Sequence, residues 1–206
     1  MNRTGMMRFR SAGLLATAFL LLVAGPVAAQ SGAFNEREIR GYDYTGPYAQ
    51  FGVSIGEINF DVRGIDNDVA GGFTLGGGYR VLPWLAVDGN FSYLAGEADV
   101  NGASGDVDVD AWGFTFGPKI YPLGFAAVDA VPHFIQPYAL IGIGGGEAEV
   151  DDTSVEEDYF LARFILGIDV WATDHFGLFV EGGGFATSED DIEGAGIFTL
   201  GGQFRF

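Results

Sequence analysis

Side chains able to do covalent chemistry are scarce in this chain. Its two histidines, His133 and His175, have no serine at a spacing that suggests a shared site, and there is no cysteine. A nucleophile needs a base within hydrogen-bond reach, so no residue set here points to an enzyme. The lack of cysteine also excludes thiolate metal sites and a disulfide framework. Carboxylates are abundant instead, gathered in "EINFDVRGIDND", "GEADVNGASGDVDVD", "EAEVDDTSVEED" and "TSEDDIEG". Such density could hold Ca²⁺ or Mg²⁺, hard ions that accept oxygen ligands. The stretch "DVDVDAWGFTFG" spaces Asp106, Asp108 and Asp110 like the first ligands of an EF-hand loop. Ala111 stands where that loop needs its turn glycine and Gly117 where it needs a bidentate glutamate, so no dedicated metal site is expected. Glycine-rich stretches such as "GIGGGEAE" lack the Lys-Ser/Thr pair of a phosphate loop, and no cofactor is expected.

A second set of charges is sparse and regularly placed, and its meaning depends on the elements that carry it. The chain has 206 residues, 48% hydrophobic and 18% charged, with 34 glycines and 15% aromatics. Glycine weakens helices, whereas aromatics need a large surface to cover, so a helical core is a poor host for this composition. The start reads as a cleaved secretory signal over residues 1–29: Arg3, Arg8 and Arg10, an apolar run from Leu14 to Val23, and a small-residue end at Val27-Ala28-Ala29. Losing those three arginines takes the formal charge from −18 to −21. A surface so acidic repels nucleic acid, which is not expected as a partner. Residues 30–46, "QSGAFNEREIRGYDYTG", read as a short polar linker.

From Tyr48 onward the hydrophobic pattern has period two. In "WLAVDGNFSYL", Leu85, Val87, Gly89, Phe91 and Tyr93 share one parity, and Ala86, Asp88, Asn90 and Ser92 share the other. In "DYFLARFILGIDVWA" an unbroken apolar row runs from Phe160 to Val170, with Arg163, Gly167 and Asp169 opposite. The same test predicts eight strands, at about 48–58, 71–81, 84–94, 109–121, 134–146, 158–171, 176–187 and 196–206. The fifth, "FIQPYALIGIGGG", is apolar on both parities, so its faces stay unassigned. Connections alternate between short and long acidic ones, apart from the long "PLGFAAVDAVPH". This describes an all-β, eight-stranded antiparallel up-and-down β-barrel.

Such a meander can be apolar inside and soluble, or apolar outside and transmembrane. Arg80, Asp88, Lys119, Arg163, Asp169, Glu181 and Arg205 all fall opposite their strand's aliphatic and aromatic row. On a lipid-facing surface each midplane Arg or Lys would cost about 2–4 kcal/mol, which is not sustainable several times over. Seven charges are also thin cover for a solvated exterior. Many neighbours on that face are glycines (Gly52, Gly76, Gly78, Gly113, Gly117, Gly167), which leave room for charged chains in a narrow lumen. The seven are therefore expected to form an ionic network inside a transmembrane β-barrel. Tyr79, Trp84, Tyr121, Tyr138, Trp171, Phe176, Phe204 and Phe206, near the short-turn ends, are expected as its interfacial girdle.

The ending "TLGGQFRF" has Thr199, Gly201, Phe204 and Phe206 in a polar-x-Gly-x-x-aromatic-x-aromatic spacing. It resembles the C-terminal assembly signal of bacterial outer-membrane barrels, which the barrel-assembly machinery reads. With "GPYAQFGVSIG", "LGGGYRV" and "ILGIDV", residues 47–206 resemble the small eight-stranded outer-membrane barrels that include the OmpA transmembrane domain, OmpX, OmpW and opacity-type proteins. The resemblance implies an outer-membrane bilayer as the surroundings and a non-enzymatic role in envelope structure or in contacts through acidic extracellular loops. Divalent cations could bridge those loops to lipopolysaccharide. An OmpW-like narrow channel or lateral route for small apolar molecules is the alternative. No peptidoglycan-binding domain of the OmpA kind is expected after Phe206.

Overall fold

The computed structural model describes residues 42–60, 65–66, 69–100, 106–125, 131–150, 155–188 and 192–206; the expected signal segment lies outside them. Nine strands follow in order: β1 (Gly46–Phe60), β2 (Ile65–Asp66), β3 (Val69–Leu82), β4 (Leu85–Val100), β5 (Asp106–Ile120), β6 (Ile135–Val150), β7 (Val155–Trp171), β8 (Phe176–Thr187) and β9 (Ile192–Arg205). Two-residue β2 only pairs with the far end of β4. The other eight form one closed antiparallel cylinder, because β4 pairs with β5 and β1 pairs with both β3 and β9. The sheet therefore has no open edge among the long strands, which is the condition for placing strand backbone in lipid.

The strands are longer than the hydrophobic pattern implies. β4 runs to Val100 rather than 94, and the β6–β7 ladder continues from Gly146↔Tyr159 out to Val150↔Val155. Much of what reads as acidic loop is therefore paired strand. A tilted strand crosses the hydrocarbon in about 9–11 residues, and beyond that limit the ladder holds by main-chain bonds while its side chains are free to be acidic. The turns at the other end are tight, with Leu82↔Leu85 closing β3–β4. The long connection after β5 begins with a 3-10 turn, Pro122–Gly124.

Burial alternates along the described parts of the eight long strands and gives the cylinder two opposite faces. Outward positions are apolar: Phe51, Val53, Leu75, Phe116, Phe164 and Leu200 are all exposed, and so is Phe198. Inward positions are polar over a large part of the length, with Gln50, Ser54, Thr74, Asn90, Thr115 and Gln203 buried. β6, whose faces the sequence leaves open, turns Gln136, Tyr138 and Leu140 inward and Ile141 and Ile143 outward. The segment expected as linker is described only from Tyr42 on, and there Tyr42 and Tyr44 are buried rather than solvated.

Candidate functional site: the barrel lumen

Every strand sends alternate side chains inward, so the lumen is a stack of layers with one residue or two from each strand. All seven charged residues singled out above lie there, and none is more than 2% exposed. Desolvating so many ions is costly unless each finds partners, so the partners decide what the lumen can do.

At the short-turn end, Arg80 and Arg205 meet on one neutral acceptor. Arg80 Nη1 donates to Gln136 Oε1 at 2.6 Å and Arg205 Nη2 to the same oxygen at 2.9 Å. Arg80 Nε also donates to the Pro83 carbonyl at 2.9 Å, with Nη2 on that same oxygen. The Arg205 guanidinium lies 3.3 Å from the Trp171 ring centroid, and that of Arg80 lies 4.0 Å from Tyr121. Arginine suits this position because its flat, weakly hydrated head stacks on rings.

One layer further in, Lys119 is surrounded by tyrosines. Its Nζ lies 3.7 Å from the Tyr138 ring centroid, 5.3 Å from Tyr48 and 5.5 Å from Tyr121, with Asp169 Oδ1 at 3.8 Å. The same tyrosines bind the carboxylates: Tyr48 donates to Asp88 Oδ2 at 2.6 Å, Tyr121 to Asp169 Oδ2 at 3.1 Å and Tyr138 to Glu181 Oε2 at 2.7 Å. Each ring thus offers its face to a cation and its hydroxyl to an anion. Glu181 Oε1 then pairs with Arg163 Nη2 at 2.5 Å. Rings this large fit only because the wall beside them is glycine: a methyl at Gly167 would strike the Tyr138 ring, and one at Gly78 would come within 2.8 Å of the Tyr48 hydroxyl.

Above this belt a row of hydroxyls crosses four strands. Ser54 Oγ lies 2.9 Å from both Thr74 Oγ1 and Thr199 Oγ1, and Thr74 Oγ1 lies 3.3 Å from Ser92 Oγ. Beyond it, toward the long-loop end, the inner wall becomes apolar, with Ala70, Leu94, Val109, Leu161 and Ile197 buried.

Of the predicted site residues, the structure brings Lys119 against Asp169 and Arg163 against Glu181 as ion pairs. Asp88 is tied to Tyr48, and Arg80 to Arg205 through Gln136. Neutral side chains thus carry several links that ion pairs were expected to make. The girdle expectation needs correcting at three positions. Tyr121, Tyr138 and Trp171 are 3%, 3% and 1% exposed and point into the lumen. Tyr121 shares the parity of Lys119, and Trp171 that of Asp169, so alternation places them inside whatever their chemical type. Tyr79, Phe176, Phe204 and Phe206 do lie on the outer face, and half-buried Trp84 stacks on Phe125 with centroids 4.5 Å apart. At the C-terminus Thr199 faces the lumen, Gly201 lies close against the Phe51 carbonyl and Phe179, and Phe204 packs edge-on to Phe206 at 5.2 Å.

Sequence reasoning missed Tyr48, Gln50, Asn90 and Gln136, the neutral members of the network. For Asn90 the signal was the parity it shares with Asp88; β1 and β6 carry none of the seven charges, so Tyr48, Gln50 and Gln136 had no charged residue on their own strand to mark the inner face. Of the histidines, His133 stacks on Tyr42 at 4.8 Å and His175 Nδ1 lies 3.0 Å from the Arg205 carbonyl. Among the described residues no group of three or more His, Asp and Glu side chains is placed to hold a metal ion. On the outer face, exposed Asp110 accepts a hydrogen bond from Tyr93 at 2.8 Å.

Comparison with known proteins gives a family match and a set of similar folds. The family model described as "Outer membrane protein beta-barrel domain" matches residues 17–206. No match is found among curated proteins. Among solved structures, Ail, the attachment invasion locus protein of Yersinia pestis in complex with the heparin analogue sucrose octasulfate, is 19% identical. It covers 79% of this chain and 100% of its own, with a TM-score of 0.55. OprG from Pseudomonas aeruginosa is 17% identical, with 82% and 99% coverage and a TM-score of 0.59. Neisserial surface protein A is 12% identical, with 78% and 97% coverage and a TM-score of 0.58. At these identities the likeness is one of fold.

Proposed function

This chain belongs to the outer membrane protein beta-barrel domain family, and from that premise we propose that it is a non-enzymatic, non-conducting barrel that contributes to the envelope and makes surface contacts through its acidic extracellular segments. Its place is the outer membrane, with the tight turns toward the periplasm and the long acidic hairpins outside. The observation that carries the reading is the Lys119 layer, in which a buried ammonium, three tyrosine rings and two carboxylates occupy the cross-section of an eight-stranded cylinder. A barrel of this size is just filled by its own side chains, so a stack of paired charges favours closure over conduction. Planar-bilayer recording with the purified protein tests this. A flat baseline is expected, and reproducible open steps overturn it.

The surface role rests on the acidic hairpins. Replacing Glu147–Asp158 by Asn-Gly removes the β6–β7 tip in register, since Glu147 pairs with Asp158 and Gly146 with Tyr159. Insertion should survive while cell or ligand adhesion is lost; unchanged adhesion counts against the role. Ail was solved with a polysulfated sugar. This chain, at −18, would repel such a polyanion, so divalent cations bridging its carboxylates to lipopolysaccharide phosphates fit its charge better. Calorimetry showing no more Ca²⁺ or Mg²⁺ binding than a random acidic peptide would remove that bridge. In the same reading Thr199, Gly201, Phe204 and Phe206 form the tag that the barrel-assembly machinery recognises.

One observation favours a second reading. The inner wall near the extracellular end is apolar at Ala70, Leu94, Val109, Leu161 and Ile197, a surface suited to a small apolar molecule that leaves sideways into lipid rather than passing the charged belt. Faster entry of an apolar probe into cells producing the protein supports it, and an unchanged rate removes it.

A further inference from the structure

The lumen has a second closure that the charged belt does not explain, made by the residues just before β1. The inward alternation of β1 continues below its start: Tyr42, Tyr44, Gly46 and Tyr48 are all buried, while Asp43, Thr45 and Pro47 are exposed. Tyr42 and Tyr44 thus lie inside the periplasmic mouth, and their contacts span it. The Tyr42 hydroxyl donates to the Val131 carbonyl at 3.0 Å, and its ring stacks on His133. Both partners belong to the connection between β5 and β6, across the cylinder from β1. The Tyr42 carbonyl accepts from Arg80 Nη2 of β3 at 3.5 Å. The Tyr44 ring centroid lies 4.3 Å from the Arg205 guanidinium of β9, which also lies 3.3 Å from the ring centroid of Trp171 on β7.

Gly46 makes the fold-back. Its φ of +144° is disfavoured for other residues, and a Cβ there would lie 2.9 Å from the Tyr44 hydroxyl, which donates to the Pro47 carbonyl at 2.5 Å. A chain that merely tethered the barrel would need neither the corner nor two buried rings.

We propose that Tyr42–Tyr44 is a periplasmic strap that seals the lumen from below and clamps Arg205, the last residue of the closing strand. Its partners on β3, β9 and the β5–β6 connection come together only once the β1–β9 ladder is formed, so the strap seats last. The proposal rests on the barrel fold and not on the surface-contact role, so either can fail alone.

The test uses a cysteine reporter, since the chain has none of its own. Ala86 is fully buried, faces the lumen near this mouth and pairs with Arg80 on one side and Lys119 on the other. Ala86→Cys is labelled with a charged methanethiosulfonate reagent in the folded protein, with and without Tyr42→Ala/Tyr44→Ala. Labelling should be slow with the strap intact and at least about tenfold faster without it, since one hydrogen bond and two ring contacts no longer oppose opening. Equal rates, whether both fast or both slow, overturn the seal. If the double variant does not give the folded, heat-modifiable band, Tyr42→Ala alone decides by the same comparison. It frees the far end of the strap and leaves the Tyr44–Arg205 contact in place.

Discussion

Removing the carboxylate of Glu181 should destabilise the barrel far more than removing its whole ion pair. Glu181 is 2% exposed and binds Arg163 Nη2 at 2.5 Å and the Tyr138 hydroxyl at 2.7 Å. Among the described residues Arg163 Nε and Nη1 are buried without a hydrogen-bond partner, so the guanidinium has no second acceptor there to turn to. Stranding a buried charge costs about 3–5 kcal/mol, and orphaning a buried hydroxyl about 1–3 kcal/mol. These penalties overlap in one relaxed site, so Glu181→Ala is expected to lose about 4 kcal/mol. Arg163→Met/Glu181→Leu leaves no stranded charge and should lie within about 2 kcal/mol of the parent protein. Urea titration in lipid vesicles, followed by tryptophan fluorescence and by migration of unheated samples, is run on the parent, Arg163→Met, Glu181→Leu and the double variant as the four corners of the cycle, with Glu181→Ala beside them. Glu181→Ala costing under about 1 kcal/mol, or a double variant as unstable as the two single losses added, would refute a sealed, desolvated lumen.

Other substitutions probe the remaining faces. Phe164→Arg puts a charge on the outer face at mid-strand and should cost about 2–4 kcal/mol in the same titration. Gly167→Ala drives a methyl into the Tyr138 ring and should cost about 1–3 kcal/mol, with part of the loss restored by Tyr138→Leu. Deleting Phe206 should lower the amount reaching the outer membrane in cells while leaving refolding into detergent unchanged, as measured by fractionation and gel shift. Raising NaCl from about 0.1 to 1 M should change stability by less than about 1 kcal/mol, because solvent-excluded pairs are little screened.

The barrel was legible because strand alternation is a strict geometric rule that a two-sided environment writes into every segment. In β7, Phe160 to Val170 against Arg163 and Asp169 reads the same way in sequence and in structure. β6 did not, since Ala139, Leu140, Ile141 and Ile143 are apolar on both sides; its inner face is marked only by Gln136 and Tyr138. The misplaced rings have a related cause. Tyrosine and tryptophan suit a membrane interface and a crowded polar lumen equally, because each has an apolar body and a polar tip, and only parity separates the two sites. For Tyr121 and Trp171 the parity pointed inward. Tyr42 and Tyr44 were lost among polar neighbours although they continue the inward parity of Tyr48. Strand ends were misjudged where the ladder outruns the bilayer, since main-chain pairing leaves no hydrophobic trace.

Single-site spin labels along β7 give the most direct test, with oxygen and a water-soluble nickel chelate as competing relaxants. Labels at Phe164, Leu166 and Ile168 should be relaxed by oxygen from the lipid, and one at Ile165 by neither agent, in a repeat of two. Oxygen access at Ile165 together with chelate access at Phe164 and Leu166 would put the oily face inward, and the arrangement described for this barrel would be the wrong way round.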